Sequence, residues 1–247
     1  MRVTGAPGQV GQAIVWCGLS FSNAGRRPKT IVCSMAAALI LCLFAGAAGA
    51  ADVPHLFFSK SFPGSSPAYV AIDIDKTGAG VYREAENDDN PLRFQLTESE
   101  VNAMFDLASK LGYFDHPLAS PLKVAFTGMK TFRYVDGAKK SEVQFNYSQD
   151  PAAGSLLDWF ERIGESERLY TNLEVAAKYD HLGVMKAVLL LEAADDNKHL
   201  VATSQYLPLL DRIAKNETYM HEARMHAATL AERFRCVAPP CSTNPSK

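Results

Sequence analysis

The chain has 247 residues, with 25 Lys+Arg against 27 Asp+Glu, and 47% of its residues are apolar. That supports a sizeable buried core, and 21% charged with 10% aromatic residues excludes disordered, collagen-like and coiled-coil chains. The charge is uneven: residues 1–50 hold Arg2, Arg26, Arg27, Lys29 and no acid, which leaves 21 bases against 27 acids, a net of −6, in the remainder. An acidic body lacks the clustered Lys/Arg that phosphate backbones and anionic lipids need, so no nucleic-acid partner is expected.

The first fifty residues read as an address. Arg26, Arg27 and Lys29 precede an apolar run from Ile31 to Phe44, and small residues follow to Ala50. Ala48 and Ala50 satisfy the small-x-small rule, which predicts a signal peptide cut after Ala50. Twenty mostly apolar residues also suit an uncleaved membrane anchor, the alternative for this segment and the chain's sole expected link to a membrane. Cys42 follows Leu41, not the small residue that lipid attachment wants. Residues 1–25 are a long lead-in, so a start nearer Met35 is also open. Export to a periplasm or the exterior is the expectation. Only Cys236 and Cys241 follow the cut, and an even pair in an oxidising compartment predicts a disulfide within a mobile tail over 236–247.

In the body, residues 52–165 read as an α+β domain. Tyr69, Val70, Ile72 and Ile74 mark a strand, Lys76–Gly80 a turn, and Val81–Glu84 the returning strand. A polar loop, Asn87–Pro91, leads to a helix whose capping box is Thr97 with Glu100. Its apolar face carries Val101, Met104, Phe105, Ala108 and Leu111. The order then repeats. Thr131–Val135, the Asp136-Gly137 turn and Glu142–Tyr147 form a second hairpin, and Asp150-Pro151 opens a helix with Leu156, Leu157, Phe160 and Ile163 in its stripe. A further strand near Leu56–Lys60 is expected. The fold class is α+β: an antiparallel sheet from two hairpin–helix units, helices on one face, followed by an α-helical C-terminal half. Residues 166–235 form that helical region, with helices marked by Leu169–Ala177, Val184–Leu191, Leu207–Ile213 and Met220–Phe234.

Several motifs imitate chemistry. Asp73, Asp75, Thr77, Gly78 and Glu84 fall near the spacing of a calcium loop, but strand alternation on both sides favours a hairpin. His221-Glu222 with His226 resembles a zinc-protease helix with one residue too many. Five residues apart is about 140° around a helix, too far for one metal. Asp158 and Glu161 flank Trp159 like a sugar-cleft pair, and read more simply as a helix surface. Ser59, Ser61, Ser65 and Ser66 lack an evident base. No nucleophile elbow or P-loop is present. No catalytic residue, cofactor or metal ligand is therefore assigned.

Four stretches carry a resemblance: Phe58-Ser-Lys-Ser-Phe-Pro-Gly-Ser65 with Pro67-Ala-Tyr69; Gly128-Met-Lys-Thr-Phe-Arg-Tyr134; Phe145-Asn-Tyr147 with Asp158-Trp-Phe-Glu161; and Leu207-Pro-Leu-Leu-Asp-Arg-Ile213. In these the chain resembles bacterial exported proteins of unknown function, and its first half is similar in outline to a secreted hairpin–helix domain. The resemblance implies export and layout, and no activity. The functional expectation is a non-catalytic exported protein that binds another envelope protein or component. Two alternatives stand beside it: an envelope hydrolase using two carboxylates in one cleft, and a small-ligand or metal carrier. For the binding reading, Tyr82, Phe132 and Tyr134 are expected to form an aromatic patch on the solvent face of the sheet.

Overall fold

The computed structural model describes residues 53–237. Six strands form one antiparallel sheet: β1 (His55–Ser61), β2 (Tyr69–Asp75), β3 (Ala79–Arg83), β4 (Leu92–Gln95), β5 (Met129–Asp136) and β6 (Lys139–Phe145). Their order across the sheet is β4-β3-β2-β1-β5-β6. Five helices follow the same chain: α1 (Glu98–Lys110), α2 (Pro151–Tyr179), α3 (Gly183–Asp196), α4 (Leu207–Lys215) and α5 (His221–Val237). The class is α+β, with the later half helical.

Both hairpins form where the turn chemistry places them. Asp75 Oδ1 accepts hydrogen bonds from Thr77 N–H, Thr77 Oγ1 and Ala79 N–H, which closes the β2–β3 turn. Strand β1 has the larger role: it pairs with β2 on one side and β5 on the other and joins the two hairpins. Leu56 and Phe58 therefore stand between Ile74 and Ile72 on one neighbour and Tyr134 and Phe132 on the other. Strand β4 was not anticipated. It is four residues long, follows Pro91, and is fixed by Phe94, whose ring lies where a side chain on Gly80 would stand.

Alternation sends Leu56, Phe58, Ile72, Ile74, Tyr82, Phe94, Phe132, Tyr134, Val143 and Phe145 to one face, where all are buried. This corrects the expected aromatic patch. Tyr82, Phe132 and Tyr134 belong to the first core, beneath α1 and α2. A period of two separates the faces of a strand without saying which is wet. Phe132 settles the matter, with rings of Phe58, Phe114, Phe145 and Phe160 all within 6 Å between centroids. The solvent face is polar instead, crossed by the Arg133–Glu142 ion pair at 2.6 Å with Arg133 over the Phe57 ring.

Helix α1 starts at the expected capping box, and α2 at Asp150, which accepts from Ala152 N–H, with Pro151 in the first turn. Two predicted helices are one. Helix α2 runs 29 residues without interruption, so the boundary drawn at 165 falls inside it. A lone Gly164 costs only about 1 kcal/mol in a helix interior, too little to end one whose apolar stripe continues in phase. Its first half places Ala153, Leu156, Phe160 and Ile163 in the sheet core. Its second half places Leu173, Ala176 and Ala177 in another core, shared with α3, α4 and α5.

The connection from Leu200 to Tyr206 ties the cores together. Val201 N–H donates to Ser166 Oγ, Tyr206 OH to Ser166 O, Arg162 to Leu200 O, and Ala202 N–H to Glu100. Val201 and Ala202 pack in the first core, Leu200 and Tyr206 in the second. Among the described residues, no helix is long and apolar enough to cross a membrane. Ala48, Ala50 and Cys241 lie outside the described residues, and with them the expected cleavage site and the Cys236–Cys241 pairing.

Phe58 stacks on Phe160 at 4.8 Å between centroids and is 2% exposed. Phe58→Ala is expected to destabilise the chain by about 3–5 kcal/mol, and Leu122→Ala in an exposed loop by no more than about 0.5. Urea unfolding of both variants checks the contrast.

Candidate functional site

The sheet's inner face ends in two lysines. Lys60 on β1 and Lys130 on β5 are directly cross-strand, continuing the rows Leu56–Phe58 and Phe132–Tyr134. A charge at the end of an apolar row needs a partner. Lys60 Nζ reaches across to Glu161 on α2 at 3.1 Å. Lys130, 4% exposed, donates to the carbonyls of Asn146 (2.8 Å) and Gly128 (3.2 Å) and to Thr127 Oγ1 (3.1 Å). Burial, and then the nearby Lys60 charge, push its ammonium below the ordinary range, against a smaller opposing pull from Glu161. Its protons are spent on loop closure, so Lys130 fixes the 127–146 junction and offers no free amine.

The Lys60–Glu161 pair crosses a groove between α2 and the sheet end. On one side lies a cavity of about 240 Å³ lined by Lys130, Asn146, Tyr147, Gly154 and Leu157. On the other lies one of about 440 Å³, with Phe58, Val70, Tyr82 and Phe160 as its floor and Glu165, Arg168 and the Ser65–Ala68 loop as its rim. A third, of about 500 Å³, continues past Arg168 and Tyr82 to Glu84, Asp88, Asn90 and Asn172. Lys60 and Glu161 line the first two; Tyr82 and Arg168 line the second and third. The three are thus consecutive along one face of α2 from Ala153 to Asn172, about 29 Å at 1.5 Å per residue.

The groove changes character along its length. Lysines mark its start, an apolar floor its middle, and carboxylates its end. Tyr82 OH donates to Glu84 at 2.8 Å. Burial first, then that hydrogen bond and the carboxylate charge, push the Tyr82 phenol far above its ordinary value, so it stays a neutral donor. Arg168 is exposed and makes no ion pair or hydrogen bond among the described residues. Among the described residues it is the one cation of the rim left open to a ligand.

Glu161 and Glu165 share the central cavity one helical turn apart, a separation that would suit a carboxylate pair. Both have partners: Glu161 meets the Lys60 ammonium, and Glu165 meets the His199 ring at 3.2 Å. Asp158 is exposed outside the groove, and Trp159 packs under Arg162. Ser65 Oγ lies 2.7 Å and 2.6 Å from carbonyls of its own loop, Phe62 and Pro67, which occupy its proton. Ser59 and Ser61 point to the opposite sheet face.

The calcium-like carboxylates are dispersed in the same way. Asp73 meets His55, Asp75 closes its turn, and Glu84 accepts from Tyr82. His226 pairs with Glu192 on α3, while His221 contacts Arg224. Among the described residues, no group of three or more His, Cys, Asp or Glu could hold a metal ion. Sequence reasoning missed Lys60, Lys130, Gly164 and Arg168. The available signal was a lysine at an inward position of each alternating row.

Among the described residues, one acid is buried, on α2 next to the groove-lining Arg168. Glu167, 1% exposed, accepts from Gln205 Nε2 at 2.7 Å through Oε1, while Oε2 has no partner. Burial pushes its carboxyl up to about 7 from an ordinary 4.5, against a smaller lowering by Gln205. Compared with known proteins, the chain matches no family model and no curated sequence.

Between about pH 4.5 and 7 the folded chain keeps a proton on Glu167 that the unfolded chain has lost. Stability therefore falls as pH rises through that window and is level above it, by about 3 kcal/mol in all. Glu167→Gln should unfold later than the parent at pH 8 and match it near pH 4.5. Thermal melts at the two pH values measure this.

Proposed function

We propose that this is an exported, non-catalytic binding protein, and that the groove along α2 receives an extended segment of an envelope partner. The observation that carries the reading is the continuity of three cavities on one helix face, about 29 Å long. A compact metabolite fills one pocket. A run of this length suits about nine residues of extended chain at 3.3 Å each. The apolar middle accepts side chains, and the oppositely charged ends set the direction of the bound segment. Arg168 supplies a charged anchor at the centre. Export rests on the leader expected at residues 1–50 and on the two-cysteine body. Neither groove glutamate stands free to act on a bond, which favours binding over hydrolysis.

The experiment is photo-cross-linking in the native host. A benzophenone side chain placed at Gly154, at Thr171 or, as a control on the opposite sheet face, at Gln144 would be followed by mass spectrometry. Gly154 suits the label because a side chain there meets nothing within 4 Å. One and the same envelope protein should attach at Gly154 and Thr171, not at Gln144, and Arg168→Glu should lower both yields. The recovered chain should begin at Ala51. Adducts only from Gln144, or none from either groove position, would contradict the reading.

A further inference from the structure

The central cavity of the groove is lined by aromatic rings and has one wall without a side chain. Phe58, Phe62, Tyr82 and Phe160 surround its volume of about 440 Å³, and the Phe58 and Phe160 rings stack at 4.8 Å. The wall is α2 at Gly164, which is half-buried. Glycine is the weakest helix former after proline, and Gly164 lies deep inside a 29-residue helix. Packing does not demand it. An alanine Cβ there would meet only Tyr82 Cε2, at 3.7 Å, an ordinary contact. A longer side chain would project into the cavity.

Charge sets what can stand beside that opening. Arg168 is one helical turn beyond Gly164 on the same face of α2 and lines both the central and the third cavity. The rim glutamates already hold partners, Lys60 for Glu161 and His199 for Glu165. Arg168 has none among the described residues, and its planar guanidinium suits a carboxylate. The spacing matches an extended segment. Four residues of helix advance about 6 Å, and two residues of extended chain advance about 6.6 Å with both side chains on one face.

We propose that the central cavity takes one aromatic side chain of the partner's segment, seated over Gly164, and that Arg168 holds an acidic residue two positions away from it. The inference rests on the groove being the track for an extended segment, and it names what that segment carries. Aromatic rings pack on one another edge-to-face or offset, so a cavity lined by phenyl rings favours a ring over an aliphatic chain. An aromatic side chain desolvated in a pocket is also the kind of anchor that dominates binding energy. Gly164 is then the specificity-determining residue, because its missing side chain leaves the room that the ring fills.

The probe is a fluorescein-labelled nonapeptide, Ser-Thr-Asp-Ser-Trp-Ser-Asp-Thr-Ser, which carries an acid two residues from the ring in either direction. The intact chain should bind it saturably. Alanine in place of the tryptophan should weaken binding about tenfold or more, and asparagine in place of both aspartates about tenfold. Gly164→Leu should melt no lower than the parent and bind the probe about tenfold more weakly or worse. Arg168→Glu should weaken binding of the aspartate peptide and leave that of the asparagine peptide unchanged. Equal binding of the tryptophan and alanine peptides would overturn the proposal, as would no saturable binding up to about 1 mM. Carried into the photo-cross-linking experiment, Gly164→Leu should abolish the adducts at Gly154 and Thr171. Full adduct yield from Gly164→Leu would overturn the aromatic anchor and leave the groove reading standing. No groove adduct from the parent chain would overturn the groove reading and this inference with it.

Discussion

A single helix carries this fold. The first half of α2 roofs the sheet with Leu156, Phe160 and Ile163, and its second half enters the helical bundle with Leu173, Ala176 and Ala177. Neither core closes without it. The sheet would lose the ring that stacks on Phe58, and the bundle would lose the carbonyl of Ala177 that Tyr219 OH holds at 2.7 Å. The middle of the helix, where no large apolar side chain is needed by either core, carries Gly164, Glu165, Ser166, Glu167 and Arg168. There the polar connection from Leu200 to Tyr206 attaches on one side and the groove opens on the other.

That division explains why polar groups sit so deep. Ser166 is fully buried and bonds both to Val201 and, through its carbonyl, to Tyr206. Glu167 beside it has one satisfied oxygen and no cation within reach among the described residues. A buried carboxylate without a cation resists ionisation, which is why burial dominates its behaviour. The joint is thus specified by hydrogen bonds where the flanking cores are specified by packing.

Local chemistry made much of the fold legible. Thr97 with Glu100, Asp150 with Pro151, and the Asp75 and Asp136-Gly137 turns act within a few residues, and each stands where the sequence puts it. What was hidden depends on distant partners. β1 becomes central only because it meets β5, more than sixty residues away. β4 needs the missing side chain of Gly80. The direction of the Tyr82, Phe132 and Tyr134 face depends on which side α1 and α2 cover. The groove was hidden for the same reason: Lys60 and Glu161 are 101 residues apart, and nothing local links them.

Helix α2 is one continuous beam whose middle turn both joins two cores and walls the groove. Hydrogen exchange of the amides from Ile163 to Leu169, measured in the intact chain, probes that continuity. Protection there equal to that at Leu156 and Leu173 is the predicted result. Rapid exchange confined to residues 163–169 would mean two helices meeting at a hinge, and would contradict both the beam and the groove it lines.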